Sequence, residues 1–181
     1  MSFDRFSGSL SSINYECAFC DKNVSSVIGC IDNHDLDRKI IICPHCKEPT
    51  YFNKEKQYPT PVFGKPLEHL PKEINQLFNE ARYTMSVNAY TCVVIACRTL
   101  LMHIAVDQGA EEGLSFKKYV DYLAQEGFIP KKGKGWVDHI RQQGNTAVHE
   151  IRLQNSIDAE QLLTFTEHLL LALYDFPARV K

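Results

Sequence analysis

Cys17-Ala-Phe-Cys20 and Cys43-Pro-His-Cys46 bracket 22 residues, and their reading decides how this chain is divided. A CxxC turn presents two thiolates to one ion, and zinc takes four such ligands in a tetrahedron. A single pair is also compatible with redox chemistry. Two pairs separated by a β-patterned stretch argue for metal, at a spacing slightly longer than the usual template. Cys17, Cys20, Cys43 and Cys46 are therefore the expected ligands of one Zn2+ per chain. With four protein ligands no position is left for water, which makes the ion structural. About forty residues cannot build much of a core, so metal binding would supply the folding energy of this module.

Between the two pairs, Val24, Val27, Ile28 and the run Lys39-Ile40-Ile41-Ile42 are β-branched segments interrupted by Asp32-Asn33-His34-Asp35, a turn composition. The expectation is a small β zinc ribbon over 15–53, after a flexible tail at 1–14. Cys30 is expected to join the packing under the ribbon, and His45 to point outward. Pro59, Pro61 and Pro66 mark 54–66 as an extended linker, because proline fixes φ and biases its predecessor away from helix.

Residues 67–181 change character. Pro71 suits a helix start, followed by Ile74, Leu77, Phe78 and Ala81 at helical spacing. A second helix is predicted over 87–107, its apolar face formed by Tyr90, Val93, Val94, Cys97, Leu100, Leu101 and Ile104. Cys92 and Cys97 both read as core residues. A third helix runs from the N-cap Ser115 to Gly127 at C′. A fourth is predicted from Trp136 to about His149. The last begins near Asp158, with Gln161 completing a capping box and Ile157/Leu162 a hydrophobic staple; Leu162, Leu163, Leu169, Leu170 and Leu173 line its inner face. The fold class is thus mainly α, a five-helix bundle preceded by a small β zinc ribbon.

Composition sets the outer bounds. At 44% hydrophobic and 23% charged residues the chain is an ordinary folded protein. A net charge of −2 excludes a nucleic-acid binder held by bulk electrostatics and allows a local patch. The first twelve residues lack a hydrophobic signal core, and no uncharged apolar run approaches eighteen residues. The expected location is cytoplasmic, without membrane contact and without disulfides.

The segment Ile140-Arg141-Gln142-Gln143-Gly144-Asn145-Thr146-Ala147-Val148-His149 carries the second chemical signal. On a helix Arg141, Asn145 and His149 fall within about 80° of one face, over about 12 Å. Gly144 costs about 1 kcal/mol in mid-helix and permits close backbone approach. The stripe reads either as a buried network between helices or as a site. Lys131, Lys132 and Lys134, beside Trp136, read either as a solvated loop or as a phosphate contact in nucleic-acid binding.

The pattern Arg-x-x-Gly-Asn-x-x-x-His behind an N-terminal zinc ribbon resembles domain-of-unknown-function family 4145. Leu70-Pro71, Ala96-Cys97-Arg98 and Gly127-Phe128-Ile129-Pro130 support the resemblance, which covers about 65–176. It implies a HEPN-like all-α domain that dimerises and works beside restriction or toxin–antitoxin partners. It also implies Arg141, Asn145 and His149 as the catalytic set if the protein is a metal-independent endoribonuclease. In that motif the arginine position is Gly144 here, with Arg141 one turn earlier, and Met102 stands where an acidic residue is frequent. The expected function is therefore a noncatalytic nucleic-acid- or protein-interaction module in bacterial defence or RNA metabolism, with the endoribonuclease as the alternative.

Overall fold

A computed structural model describes residues 10–129, 135 and 153–180. The chain divides into two units, Met1–Phe63 and Gly64–Lys181.

The first unit is β. Strands β1 (Ile13–Glu16) and β2 (Asn23–Ser26) form an antiparallel hairpin carrying the first CxxC turn. Strands β3 (Gly29–Asp32), β4 (Asp35–Ile42), β5 (Pro49–Asn53) and β6 (Lys56–Tyr58) form an antiparallel meander, with the second CxxC turn between β4 and β5. The turn composition at 32–35 closes the β3–β4 hairpin, where Asp32 Oδ1 accepts from the His34 N–H at 3.1 Å. Gly29 lies against β4 so closely that a Cβ there would run into the Ile40 carbonyl oxygen. Buried Ser26 joins the two sheets: its hydroxyl donates to the Ile42 carbonyl at 2.7 Å and accepts from the Ile28 N–H at 3.2 Å. The interior is small. Tyr15, Ile41 and Phe52 pack with Cys17 and Cys43, the two rings edge to face at 5.4 Å.

The second unit is helical: α1 (Lys72–Ser86), α2 (Tyr90–Asp107), α3 (Phe116–Gln125) and α4 (Ser156–Leu170). A π-helical turn, Leu171–Asp175, and a short α5, Phe176–Arg179, continue α4. Helix α2 is central, packed against α1, α3 and α4, and buries Val93, Val94, Cys97, Leu100, Leu101, Ile104 and Ala105. Its length and composition alone would suit a membrane span; in this unit it is the core helix. Ser115 caps α3 as expected, accepting from the Lys118 N–H, and Gly127 follows at φ +82°. Arg82 is buried and held by the Asn79 side chain and the Gly64 carbonyl, each at 2.9 Å.

Two features of the expected fold are corrected. The chain is not the expected five-helix bundle, although a small β unit does precede the helices. Among the described residues there are six strands in two sheets and four helices of ten residues or more. The β unit is larger than expected because β6 pairs with β5 inside the proline-marked segment 54–66; Pro59 lies one residue beyond it and removes no ladder donor. The helix predicted over 136–149 lies outside the described residues, as does most of the expected tail at 1–14. The last helix also starts earlier than expected. Asn155 is its N-cap, accepting from the Asp158 N–H at 2.9 Å, so Asp158 sits three residues inside the helix. Ile157 is 64% exposed and staples nothing.

Candidate metal centre

The two CxxC turns are built alike. In the first, the Asp21 N–H donates to the Cys17 carbonyl at 2.9 Å and the Cys17 N–H to the Lys22 carbonyl at 3.0 Å. In the second, Lys47 donates to Cys43 and Cys43 to Glu48, both at 3.0 Å. Each turn closes through a non-glycine residue in the left-handed region, Asp21 at φ 52° and Lys47 at φ 67°. This shared geometry points both cysteines of each turn to one side.

The four sulfurs converge. Cys17 Sγ lies 3.6 Å from Cys46 Sγ, and Cys20 Sγ 3.9 Å from Cys43 Sγ; all four lie within 4.8 Å of one another. A disulfide would need about 2.05 Å, so these are four thiols. A tetrahedron with metal–sulfur bonds of about 2.3 Å has edges of about 3.8 Å, which the two close pairs match. The cluster can hold a metal ion, and its all-sulfur donor set suits a soft or borderline cation. Cys17 and Cys43 are buried, and Cys20 and Cys46 partly so.

The electrostatics order the thiols. Burial pushes Cys17 up, against the Phe19 and Cys20 amides. Burial also raises Cys43, but the Cys46 and His45 amides, with the thiols of Cys46 and Cys17, outweigh it and bring Cys43 below the ordinary range. Amides donating to sulfur favour the thiolate, the form that binds metal. At the tips of the turns, Lys22 Nζ lies 2.6 Å from His45 Nε2. An ammonium only donates, so this imidazole nitrogen is the acceptor. Phe19, inside the first turn, is 50% exposed.

The other sequence-derived candidates fare differently. Lys131, Lys132, Lys134, Arg141, Asn145 and His149 all lie outside the described residues. His45 is exposed, as expected, and Cys30 is half-buried on β3. Cys97 is buried, which pushes its thiol up to about 12 against a bond with Thr166. Cys92, expected in the core, is exposed; five residues from Cys97, it falls on another face of α2. Arg98 lies over the Phe116 ring at 4.6 Å.

One polar cluster carries no sequence signal. The Asp175 side chain is fully buried and is approached by His69 and Arg179. Its Oδ1 accepts from the His69 backbone N–H at 3.2 Å and lies 2.9 Å from His69 Nδ1. Arg179 Nη2 lies 2.7 Å from Oδ2. His69 and Asp175 are separated by 106 residues, and neither stands in a motif.

A chain that joins a four-cysteine β unit to a helical unit with a central apolar helix defines a broad class. The helical part places it more narrowly. The chain belongs to the family described as "Domain of unknown function (DUF4145)", whose sequence profile matches residues 79–181. No curated protein and no solved structure matches the chain.

Proposed function

We propose that this protein is a zinc-ribbon, HEPN-like nucleic-acid-binding module, noncatalytic, acting in bacterial defence or RNA metabolism. The observation that carries the reading is the build of the two CxxC turns. Four sulfurs within 4.8 Å of one another, two pairs of them near the tetrahedral edge length, favour zinc. The turns also hold Phe19, Lys22, His45 and Lys47 exposed. An exposed aromatic among cationic side chains is the chemistry that stacks a base and meets a phosphate on a single strand. The helical unit would pair two copies: Cys92 and Ile95 are exposed on α2 and Ile157 on α4, and two-fold pairing is the commonest oligomeric solution.

Fluorescence anisotropy of a labelled single-stranded RNA with zinc-loaded protein tests the reading. Loss of a stacked base at Phe19→Ala is expected to weaken binding about tenfold. If zinc-loaded wild type binds neither single-stranded RNA nor DNA, the nucleic-acid reading fails and a protein partner becomes the better account. Light scattering tests the pairing, which a monomeric mass at tens of micromolar would refute.

A further inference from the structure

The His69–Asp175–Arg179 cluster belongs to the helical unit and is independent of the metal. A buried carboxylate needs compensation, and one well-placed cation supplies it. Asp175 has two basic partners, one on each oxygen, and the His69 imidazole is a cation only when protonated. Neither is used up by the contact. His69 engages through Nδ1 alone, and its side chain is 43% exposed. Arg179 engages through Nη2 alone rather than by a two-bond fork, and its side chain is 52% exposed. Among the described residues, His69 Nε2 and the rest of the Arg179 guanidinium meet no other partner.

Local structure fixes both groups. Pro177 lacks an N–H, and its ring crowds the carbonyl four residues back. The helix widens there into the π-turn, in which the Phe176 N–H reaches the Leu171 carbonyl. Such single widened turns recur at functional sites. Here the turn places Asp175 inside, with Arg179 one turn later beside it. Phe176, the residue after Asp175 and three before Arg179 in the chain, stays 54% exposed.

We propose that His69 and Arg179, positioned by Asp175, form a binding site for a phosphate group. With His69 protonated the cluster carries a net positive charge. It offers an imidazole N–H and guanidinium N–H groups from one small area, the donor set that oxyanions take. The phosphate would be free or the head of a phosphate ester. Exposed Phe176 favours an ester carrying a ring that can stack.

The test uses the full zinc-loaded protein at about pH 6, where histidine is substantially protonated. The His69 ring signal, assigned by its absence in His69→Gln, is followed by NMR during titration with inorganic phosphate, with adenosine monophosphate, and with chloride at matched ionic strength. The expected result is a saturable shift with phosphate that chloride does not produce. Binding should weaken at least fivefold in Arg179→Gln and recover in part in Arg179→Lys, with melting temperatures confirming folded variants. Tighter binding of the monophosphate, lost in Phe176→Ala, identifies an ester; equal binding identifies free phosphate. A phosphate response no larger than that of chloride overturns the proposal, as does undiminished binding in a folded Arg179→Gln variant. Should Arg179→Gln not fold, calorimetric titration of Arg179→Lys and His69→Gln with phosphate decides the same point, because unchanged binding in both overturns it.

Discussion

The two units solve the stability problem in different ways. Among the described residues of the β unit the buried apolar side chains are Tyr15, Cys17, Ala18, Ile41, Cys43 and Phe52, so two of the six belong to the sulfur cluster. In the helical unit Phe78, Leu100, Leu101, Ile104, Leu123, Leu163 and Leu170 are enclosed on their own account. A short β module has too little interior to repay its chain entropy, and a metal ion held by the four cysteines would replace the missing core. The helical unit needs no such clamp, since α2 presents apolar side chains to three neighbours. Function can therefore sit on exposed turns in the first unit and on a side-chain cluster in the second.

Metal removal separates the units most sharply. Structural zinc contributes about 10–16 kcal/mol to modules of this kind, more than a unit with so few buried side chains can spare. Cys17→Ser or a strong chelator is expected to unfold the β unit and leave the helices folded. NMR would show the Tyr15 and Ile41 resonances collapsing while those of Phe78 and Leu163 persist, and elemental analysis would give one zinc per wild-type chain. If the β unit stays folded without metal, the contrast is wrong.

The reciprocal change is smaller. Phe78 is completely buried in α1, and Phe78→Ala is expected to cost about 3–5 kcal/mol through lost transfer energy and a residual cavity. Denaturant melts of the helical signal would show it, with zinc content unchanged. Loss of zinc in this variant would mean that the units do not fold independently.

What the sequence disclosed follows the same division. The sulfur cluster was legible because four ligands and two short turns are written in adjacent residues. The faces of α2 and α3 were legible from period, and Ser115 from its chemistry as a cap. The start of α4 was misplaced because Asn155 and Asp158 both qualify as caps, and only the fold shows which carbonyl accepts. Strand β6 was hidden because prolines on its flank read as linker. The His69–Asp175 pair was beyond reach, since only packing brings together residues 106 positions apart.

The Asp175 cluster gives the comparison a pH axis. The His69 imidazole holds the Asp175 carboxyl below the usual carboxylate range, aided by Arg179 and opposed by burial. A carboxyl depressed in the folded state contributes stability above its unfolded value of about 4. That contribution is lost as pH falls through the depressed value. Asp175→Asn is therefore expected to melt below wild type at neutral pH, with the difference shrinking in acid. Melting temperatures from about pH 7 to 3 would show two converging curves. Parallel curves would mean that the carboxylate carries no such linkage.

The finest contrast lies within the β unit, between its two turns. Lys47 and Asp21 occupy the same left-handed position after their second cysteine. A side chain with a Cβ costs roughly 1–2 kcal/mol there, whereas aspartate is among the residues that tolerate it. Glycine removes that strain and returns part of the gain as entropy lost on folding. Lys47→Gly also gives up the bond from Lys47 Nζ to the Pro44 carbonyl, at 2.8 Å and exposed, which is worth little in water. The net expectation is a gain of up to about 1 kcal/mol for Lys47→Gly and a smaller one for Asp21→Gly. If folding of this unit is coupled to metal binding, the gain would be read as a several-fold higher zinc affinity in chelator competition. A larger gain at Asp21 than at Lys47 would show that something other than backbone strain sets the two turns apart.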